Sequence, residues 1–318
     1  MKNFITLLPQ NIKPWKKIFR VIMGTLTKQV YRYSHHRNMR HNENLWPYVK
    51  ITRSKFGDII ELFYKKRKVE LVDLSSLANA FSGSILLTAT GPSVKETDFT
   101  QRPDDTMSAG VNGAWHLQSQ LNFNFYFIVD MTFIDHHKSI LKEICASENI
   151  VLFTTVMGIV KIVELLDKQK ISCQLAIIED ICYQTYKPSL KPVDIKNNCS
   201  DHSKITFSKS HPDIAFSNDI RKGVFDAGTV IYWALQTIGF MGFDKIYIAG
   251  LDLNNFSRPR FYEDIENMRP SYLQNKLDEK VFPALQLASE VLGRKNVSVI
   301  NLSPQSSVPE STFKIQGF

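Results

Sequence analysis

Residues 85–93, ILLTATGPS, carry the reading of the fold: an apolar run of strand length stops at a Gly-Pro-Ser turn. The same device recurs along the chain in MSAGVN (107–112), FNFYFIVD (123–130), NIVLFTTV (149–156), QLAIIED (174–180), KIYIAGLDL (245–253) and VSVINLSP (297–304). Between several of these runs, apolar residues fall at helical spacing, as in Ile134–Ala146, Gly158–Leu166, Gly228–Phe240 and Asp278–Leu292. Strands that alternate with helices of this length imply βαβ units. The expected fold is therefore α/β and Rossmann-like, with a mainly parallel, doubly wound sheet.

Two stretches interrupt the alternation. Residues 183–222 are rich in Pro, Asn, Ser, Asp and Lys, with one short strand expected at ITFS (205–208). Residues 254–276 mix Arg258, Arg260, Tyr262, Arg269 and Tyr272 with acids. Segments of this length between regular elements serve as lids or binding loops, or else as mobile surface loops. Both are expected as insertions in a body spanning residues 76–318.

Residues 1–75 stand outside the pattern and form a basic, partly amphipathic extension. Trp15, Ile18, Phe19, Ile22 and Leu26 recur at helical spacing, interleaved with Lys16, Lys17, Arg20 and Lys28. That is the pattern of a basic helix lying on an anionic membrane, and equally of a helix packed on the body with a solvated face. The charge follows the same division. The 318 residues carry a net charge of +8, yet residues 1–70 hold 16 Lys and Arg against four acids, a net of +12. The remaining residues hold 23 bases and 27 acids, a net of −4. A basic extension on a mildly acidic body points to a polyanionic surface such as anionic lipid or phosphorylated glycolipid. Nucleic acid is not expected as a partner, because no RNA-recognition or helix-turn-helix signature accompanies the charge.

Apolar residues make up 43% and charged residues 22%, a globular composition that excludes disorder. No stretch approaches ~18 uninterrupted apolar residues, so no membrane span is expected. The opening MKNFITLLPQNIKPWKK lacks the apolar core and small-residue cleavage site of a secretory signal. Cys145, Cys173, Cys182 and Cys199 show no C-x-x-C spacing, which favours reduced thiols over disulfides or a zinc site.

In a doubly wound fold, ligands gather beyond the carboxyl ends of the strands. Thr90-Gly91-Pro92-Ser93 follows the first strand, where a glycine lets the backbone approach a ligand and Ser93 is placed to cap a helix. Asn112-Gly113 ends the second strand and Asp130 the third. Asp226-Ala227-Gly228-Thr229 opens a helix whose unpaired N–H groups suit a phosphate. Asp252 and Asn254 follow the strand at 245–253, and Asn301–Ser307 closes the last one. Each residue singly also fits a turn or a helix cap; six polar strand ends or helix starts on one edge point to a binding site. The spacing is not G-x-G-x-x-G, and no D-x-D, H-E-x-x-H or Ser-His-Asp pattern is present. Asp135-His136-His137 invites a metal reading, but adjacent helical histidines face different ways, so a solvated helix start is preferred. No metal site or required cofactor is expected; a divalent cation has no motif to support it.

These residues carry a resemblance. TATGPS (88–93), VNG (111–113), the Gly228-Thr229 helix start, GFDKIYIAGLDL (242–253) and INLSP (300–304) resemble the bacterial sialyltransferases of glycosyltransferase family 42. They are more similar still to the related lipopolysaccharide-core Kdo transferases of the WaaZ type, over about residues 82–308. The resemblance implies a CMP-activated 2-keto sugar acid as donor. It implies that Thr90, Gly91, Pro92, Ser93, Asn112 and Asp130 surround the nucleotide, joined by Gly228, Thr229 and Asn254, with Tyr262 near the leaving phosphate. The family's Ser-Gly becomes Ala227-Gly228 here, which removes one hydroxyl. The sialyltransferases also carry a lid histidine as base, whereas no histidine stands in 212–318. His202 and His211, in the long loop, are weak alternatives for it, and Asp252, Glu263, Asp264 and Glu266 are the carboxylate candidates.

The expected function is transfer of Kdo from CMP-Kdo to the inner core of lipopolysaccharide or lipooligosaccharide. The enzyme is then cytoplasmic, peripheral on the inner face of the inner membrane through its basic N-terminus. The alternatives are sialyl or other nonulosonic-acid transfer onto a surface glycan, and a non-catalytic membrane-binding module with a degenerate Rossmann core.

Overall fold

The computed structural model describes residues 24–198, 203–254, 256–269 and 273–318. Of the expected amphipathic helix, Trp15, Ile18, Phe19 and Ile22 lie outside the described residues. A helix, α1 (residues 24–34), does contain Leu26. It is followed by a three-stranded antiparallel meander, β1 (Val49–Arg53), β2 (Ile59–Tyr64) and β3 (Arg67–Val69). The body then runs β4 (Ser84–Thr88), β5 (Met107–Val111), β6 (Phe125–Ile128), α2 (Met131–His136), α3 (Lys138–Ala146) and β7 (Val151–Thr154). It continues with α4 (Val156–Leu165), β8 (Gln174–Ile177), α5 (Pro192–Asn198), β9 (Ile205–Phe207) and β10 (Ala215–Ser217). The last elements are α6 (Val230–Met241), β11 (Lys245–Ala249), α7 (Phe282–Arg294), β12 (Ser298–Asn301) and β13 (Lys314–Ile315).

The main sheet has eight strands in the order β13-β12-β11-β4-β5-β6-β7-β8, every neighbouring pair parallel. The chain winds outward from β4 to β8, returns, and winds outward again on the other side of β4. This is the doubly wound arrangement, and its switch point lies between β4 and β11. Residues of β4 show how the sequence builds it. Ile85 and Leu87 face one layer, with α6, α7 and the β9–β10 hairpin, while Leu86 faces the other, with α3, α4 and the meander. All three side chains are fully buried. Truncation of such a leucine to alanine costs ~2–5 kcal/mol, so an apolar run with no polar alternation is what a two-faced strand requires. Helix α6 is buried over almost its whole length, which accounts for VIYWALQTIGFM being apolar on all sides.

The meander departs from the expected helical extension. Val49, Ile59, Leu62, Tyr64 and Val69 are buried against the core on the α3–α4 side. Interleaved Lys50, Arg53, Lys65, Lys66 and Lys68 hid this alternation in the sequence. The KKRK run is the tip of the β2–β3 hairpin: Lys65 and Lys66 take positive φ at the turn, and Lys68 pairs with Glu61 on the next strand at 3.3 Å. Arg53 locks the meander to the body. Its guanidinium holds Glu179 through both nitrogens, at 2.6 and 3.1 Å, and also donates to the carbonyls of Thr185 and Gly57. Cys145, Cys173 and Cys182 are buried free thiols. Among the described residues, no helix is long and apolar enough to cross a membrane.

Candidate active site

A cavity of about 590 Å³ opens beyond the carboxyl ends of the strands, at the switch point. Thr90, Gly91, Pro92, Asn112 and Asp130 line it from the ends of β4, β5 and β6. Gly228, Thr229, Asp252, Asn254 and Glu263 line it from the other side. The expected residues beyond β4, β5, β6 and β11 are thus brought together by the parallel winding, although Gly91 and Asp252 stand 161 positions apart in sequence.

The local reasons differ from those the sequence suggested. Gly91 makes its close approach to the neighbouring strand end: a Cβ there would sit 2.5 Å from Asp252 Oδ2 and 2.6 Å from the Gly250 carbonyl. Its N–H donates to that carbonyl at 3.0 Å, which staples the end of β4 to that of β11. Ser93 caps no helix. It is buried behind the cavity wall, where its N–H donates to Asp252 Oδ2 at 2.9 Å and its hydroxyl bonds Asp252 Oδ1 and Ser303. The segment after Gly91 is a 3-10 turn, Pro92–Glu96, rather than an α-helix. The hydroxyl run near the C-terminus is likewise structural, since Ser306 donates to the Leu251 carbonyl and the Ser307 amide to that of Asp252.

Asn112 sits at φ 45°, a left-handed conformation that asparagine tolerates. Its carbonyl accepts from the Tyr126 hydroxyl at 2.7 Å. Its side-chain Oδ1 is buried and has no hydrogen-bond partner among the described residues. An orphaned amide oxygen costs ~1–3 kcal/mol, and here it belongs to a residue of the cavity lining. Asp130 caps α2 through the Thr132 amide at 2.8 Å and is open to the cavity. At the start of α6, the Gly228 amide is taken by Asp226 and the Ile231 amide by Thr229. Among the described residues the amides of Thr229 and Val230 have no such partner, so the expected anion site there is narrower than the bare helix start implied.

The catalytic candidates separate clearly. Asp252 is 6% exposed and engaged through both oxygens by Ser93, so it shapes the loop. Glu263 is tied to Arg260, with Oε1 on the guanidinium at 2.7 Å and Oε2 on the backbone amide at 3.2 Å. Asp264 lies outside the cavity, exposed, and holds Asn267; those hydrogen bonds lower its carboxyl below the ordinary value. Glu266 is exposed as well. Tyr262 lies beside the cavity, over Gly113, stacked on His116 at 4.9 Å. Burial pushes its phenol up to about 12, so it keeps its proton near neutrality and is available as a hydrogen-bond donor. Asn254 lines the cavity with its amide on the Gln305 carbonyl. His137 reaches the far edge of Tyr262 at 6.3 Å between ring centroids, and burial lowers its pKa.

Several lining residues were absent from the sequence-based set. Asp180 ends the run QLAIIED, Asp226 precedes the α6 glycine, and Lys276 lays its stem 3.6 Å from where a Gly228 Cβ would stand. The strand-end position of Asp180 was a usable signal. Asp226 belongs to the expected helix start at 226–229, which assigned it no role, and Lys276 had no signal, because it reaches the cavity from an irregular segment. Among the described residues, Arg258, Arg269 and Lys276 line the cavity with no carboxylate partner. No group of three or more His, Cys, Asp or Glu could hold a metal ion among the described residues.

The chain shows a distant likeness to solved sialyltransferases. A CST-II structure with a trisaccharide acceptor and CMP aligns with a TM-score of 0.40 and 12% identity, covering 73% of this chain and 85% of that one. CstII from Campylobacter jejuni, in complex with cytidine-5'-monophosphate, gives 0.40 and 12%, over 73% and 84%. No curated protein matches the chain. The model of the 3-deoxy-D-manno-octulosonic acid transferase WaaZ family matches residues 68–315, the meander's last strand through the end of the sheet. The chain therefore belongs to the WaaZ family of 3-deoxy-D-manno-octulosonic acid (Kdo) transferases, and is a glycosyltransferase.

Proposed function

We propose that the switch-point cavity binds CMP-Kdo and that the enzyme passes the sugar to the inner core of lipopolysaccharide or lipooligosaccharide. The observation that carries this reading is the pairing, in one cavity, of Asn112, whose amide oxygen has no partner among the described residues, with cations that lack carboxylate partners there. A cytosine amine is a donor of the kind Asn112 lacks, and a phosphate and a sugar carboxylate are the anions that Arg258, Arg269 and Lys276 lack.

The roles follow from position. Thr90, Gly91 and Pro92 form the floor under the nucleotide, fixed by Ser93 and Asp252 behind them. Asn112 and Asp130 read the nucleoside from the ends of β5 and β6. Thr229 and the start of α6 face the phosphate, with Lys276 beside Gly228 and Asn254 closing the side. Stabilising charge on the departing phosphate is the main electrostatic task, and it requires donors held in place before the reaction. Tyr262 and Arg260 are donors at that rim.

The same reading places the enzyme on the inner face of the inner membrane. Helix α1 supports this: Leu26, Val30 and Tyr33 recur along one side, 53%, 54% and 90% exposed, with Arg37 and Arg40 exposed just beyond it. An apolar stripe flanked by cations suits an anionic lipid surface carrying a phosphorylated acceptor.

The test is a thermal-shift titration with CMP, CDP, UDP and GDP, followed by transfer assays with CMP-Kdo and CMP-sialic acid. Selective stabilisation by CMP, ~2.7 kcal/mol at a hundredfold excess over Kd, is expected. Preference for UDP or GDP refutes the donor assignment.

A further inference from the structure

The cavity is lined by five carboxylates, and four of them are committed or solvated. Asp252 and Glu263 are engaged through both oxygens, by Ser93 and by Arg260. Asp226 accepts from Gly228 and Trp233 on Oδ1 and from Lys280 on Oδ2. Asp130 is solvent-exposed and caps α2. Asp180 is the remaining one. It stands just past the end of β8, pinned there by its parallel bridge to Val224 and by the Ile181 amide on the Val224 carbonyl at 2.8 Å. Its partners are the Cys182 amide, at 2.8 Å from Oδ1, and the weakly donating Cys182 thiol. No Lys or Arg reaches it within ion-pair distance among the described residues.

Resting on the donor assignment above, we propose that Asp180 is the general base that takes the proton from the acceptor hydroxyl. In that step the acceptor oxygen forms a bond to the anomeric carbon while the bond from that carbon to the phosphate oxygen breaks. The bonding pair leaves with the phosphate, releasing CMP, and the hydroxyl proton moves to the Asp180 carboxylate. Three groups from different elements set the basicity of Asp180: Asp226 before α6, Lys280 in the turn before α7, and Cys182 on its own turn. Burial, then the neighbouring Asp226 charge, push the carboxyl up to about 6, while the Cys182 amide and then Lys280 oppose them. A carboxylate with that affinity is a stronger base than a solvated one and is still ionised at neutral pH.

The experiment compares wild-type chain with Asp180→Asn, Asp226→Asn and Lys280→Met, measuring CMP binding and the pH dependence of transfer. Asp180→Asn is expected to bind CMP and lose ~10²–10⁴-fold in turnover, with no acid limb in the residual rate. Asp226→Asn should move the acid limb to lower pH, and Lys280→Met should move it to higher pH. Asp180→Asn turnover within about threefold of wild type overturns the proposal. So does an acid limb that survives Asp180→Asn, stays fixed in both neighbour variants, or follows His137→Ala. If Asp180→Asn does not fold, the opposite shifts in the neighbour variants decide. Wild-type protein that ignores CMP instead refutes the donor assignment, a separable result.

Discussion

Replacing Asp180 with asparagine should raise the stability of this chain at neutral pH, although the residue lines the cavity. The carboxyl sits at about 6 in the fold against an ordinary aspartate value of 3.8, chiefly through burial. A carboxyl whose folded pKa lies above its unfolded one holds its proton more tightly in the fold. Above pH 6 both states are ionised, and the fold bears the full cost of the half-buried charge beside Asp226. Below 3.8 both are protonated and that cost is gone, so the penalty fades as pH falls from about 6 to 4. Roughly two pKa units at ~1.4 kcal/mol each give ~3 kcal/mol. Asparagine keeps an oxygen for the Cys182 amide and has no charge to bury. With an unfolding entropy of ~2.1 cal/mol/K per residue, ~3 kcal/mol corresponds to a Tm rise of about 4 °C. Thermal unfolding of wild type and variant at pH 8, 6.5, 5 and 4 measures this directly. A gain at pH 8 that shrinks toward pH 4 is expected; a variant less stable at pH 8, or a difference independent of pH, refutes the reasoning. Stability stored against function in this way is usual for reacting groups.

Other perturbations test the rest of the architecture. Arg53→Met strands Glu179, whose side chain is 8% exposed, and should cost ~3–5 kcal/mol in urea unfolding. Adding Glu179→Met should recover most of that loss, because the paired charges, not the site, are responsible. Asn112→Ala should weaken CMP binding by calorimetry about tenfold with little net change in stability, because losing the orphaned oxygen relieves ~1–3 kcal/mol while alanine at φ 45° costs ~1–2 kcal/mol. Gly91→Ala drives a Cβ into Asp252 and the Gly250 backbone, so it should cost ~1–3 kcal/mol and weaken CMP binding as the ends of β4 and β11 part.

The legible part of the site was its edge. Apolar runs closing on Gly91, Asn112 and Asp130 placed those residues beyond parallel strands, and the fold puts all three on one cavity wall. Asp180 ends such a run too, and only the neighbourhood that makes it distinctive lay out of sight. The illegible part was partnership. Asp252 and Glu263 look like free acids in sequence; the fold occupies one with Ser93, 159 residues away, and the other with Arg260. The meander was masked for a different reason, because exposed lysines alternate with its buried residues and dominate the charge count.

By itself the sequence determined the alternation of strands and helices, the direction of the sheet and the edge where ligands gather. Those depend on periodicity within a dozen residues, which burial on one or two faces imposes locally. Tertiary structure alone decided which carboxylate stays uncommitted, why Gly91 must be glycine, and how the basic meander docks. Each depends on contacts between segments far apart in the chain, such as Arg53 with Glu179 at a separation of 126 residues. Burial and partner charges set the chemistry of an ionisable group, and neither exists until those segments meet.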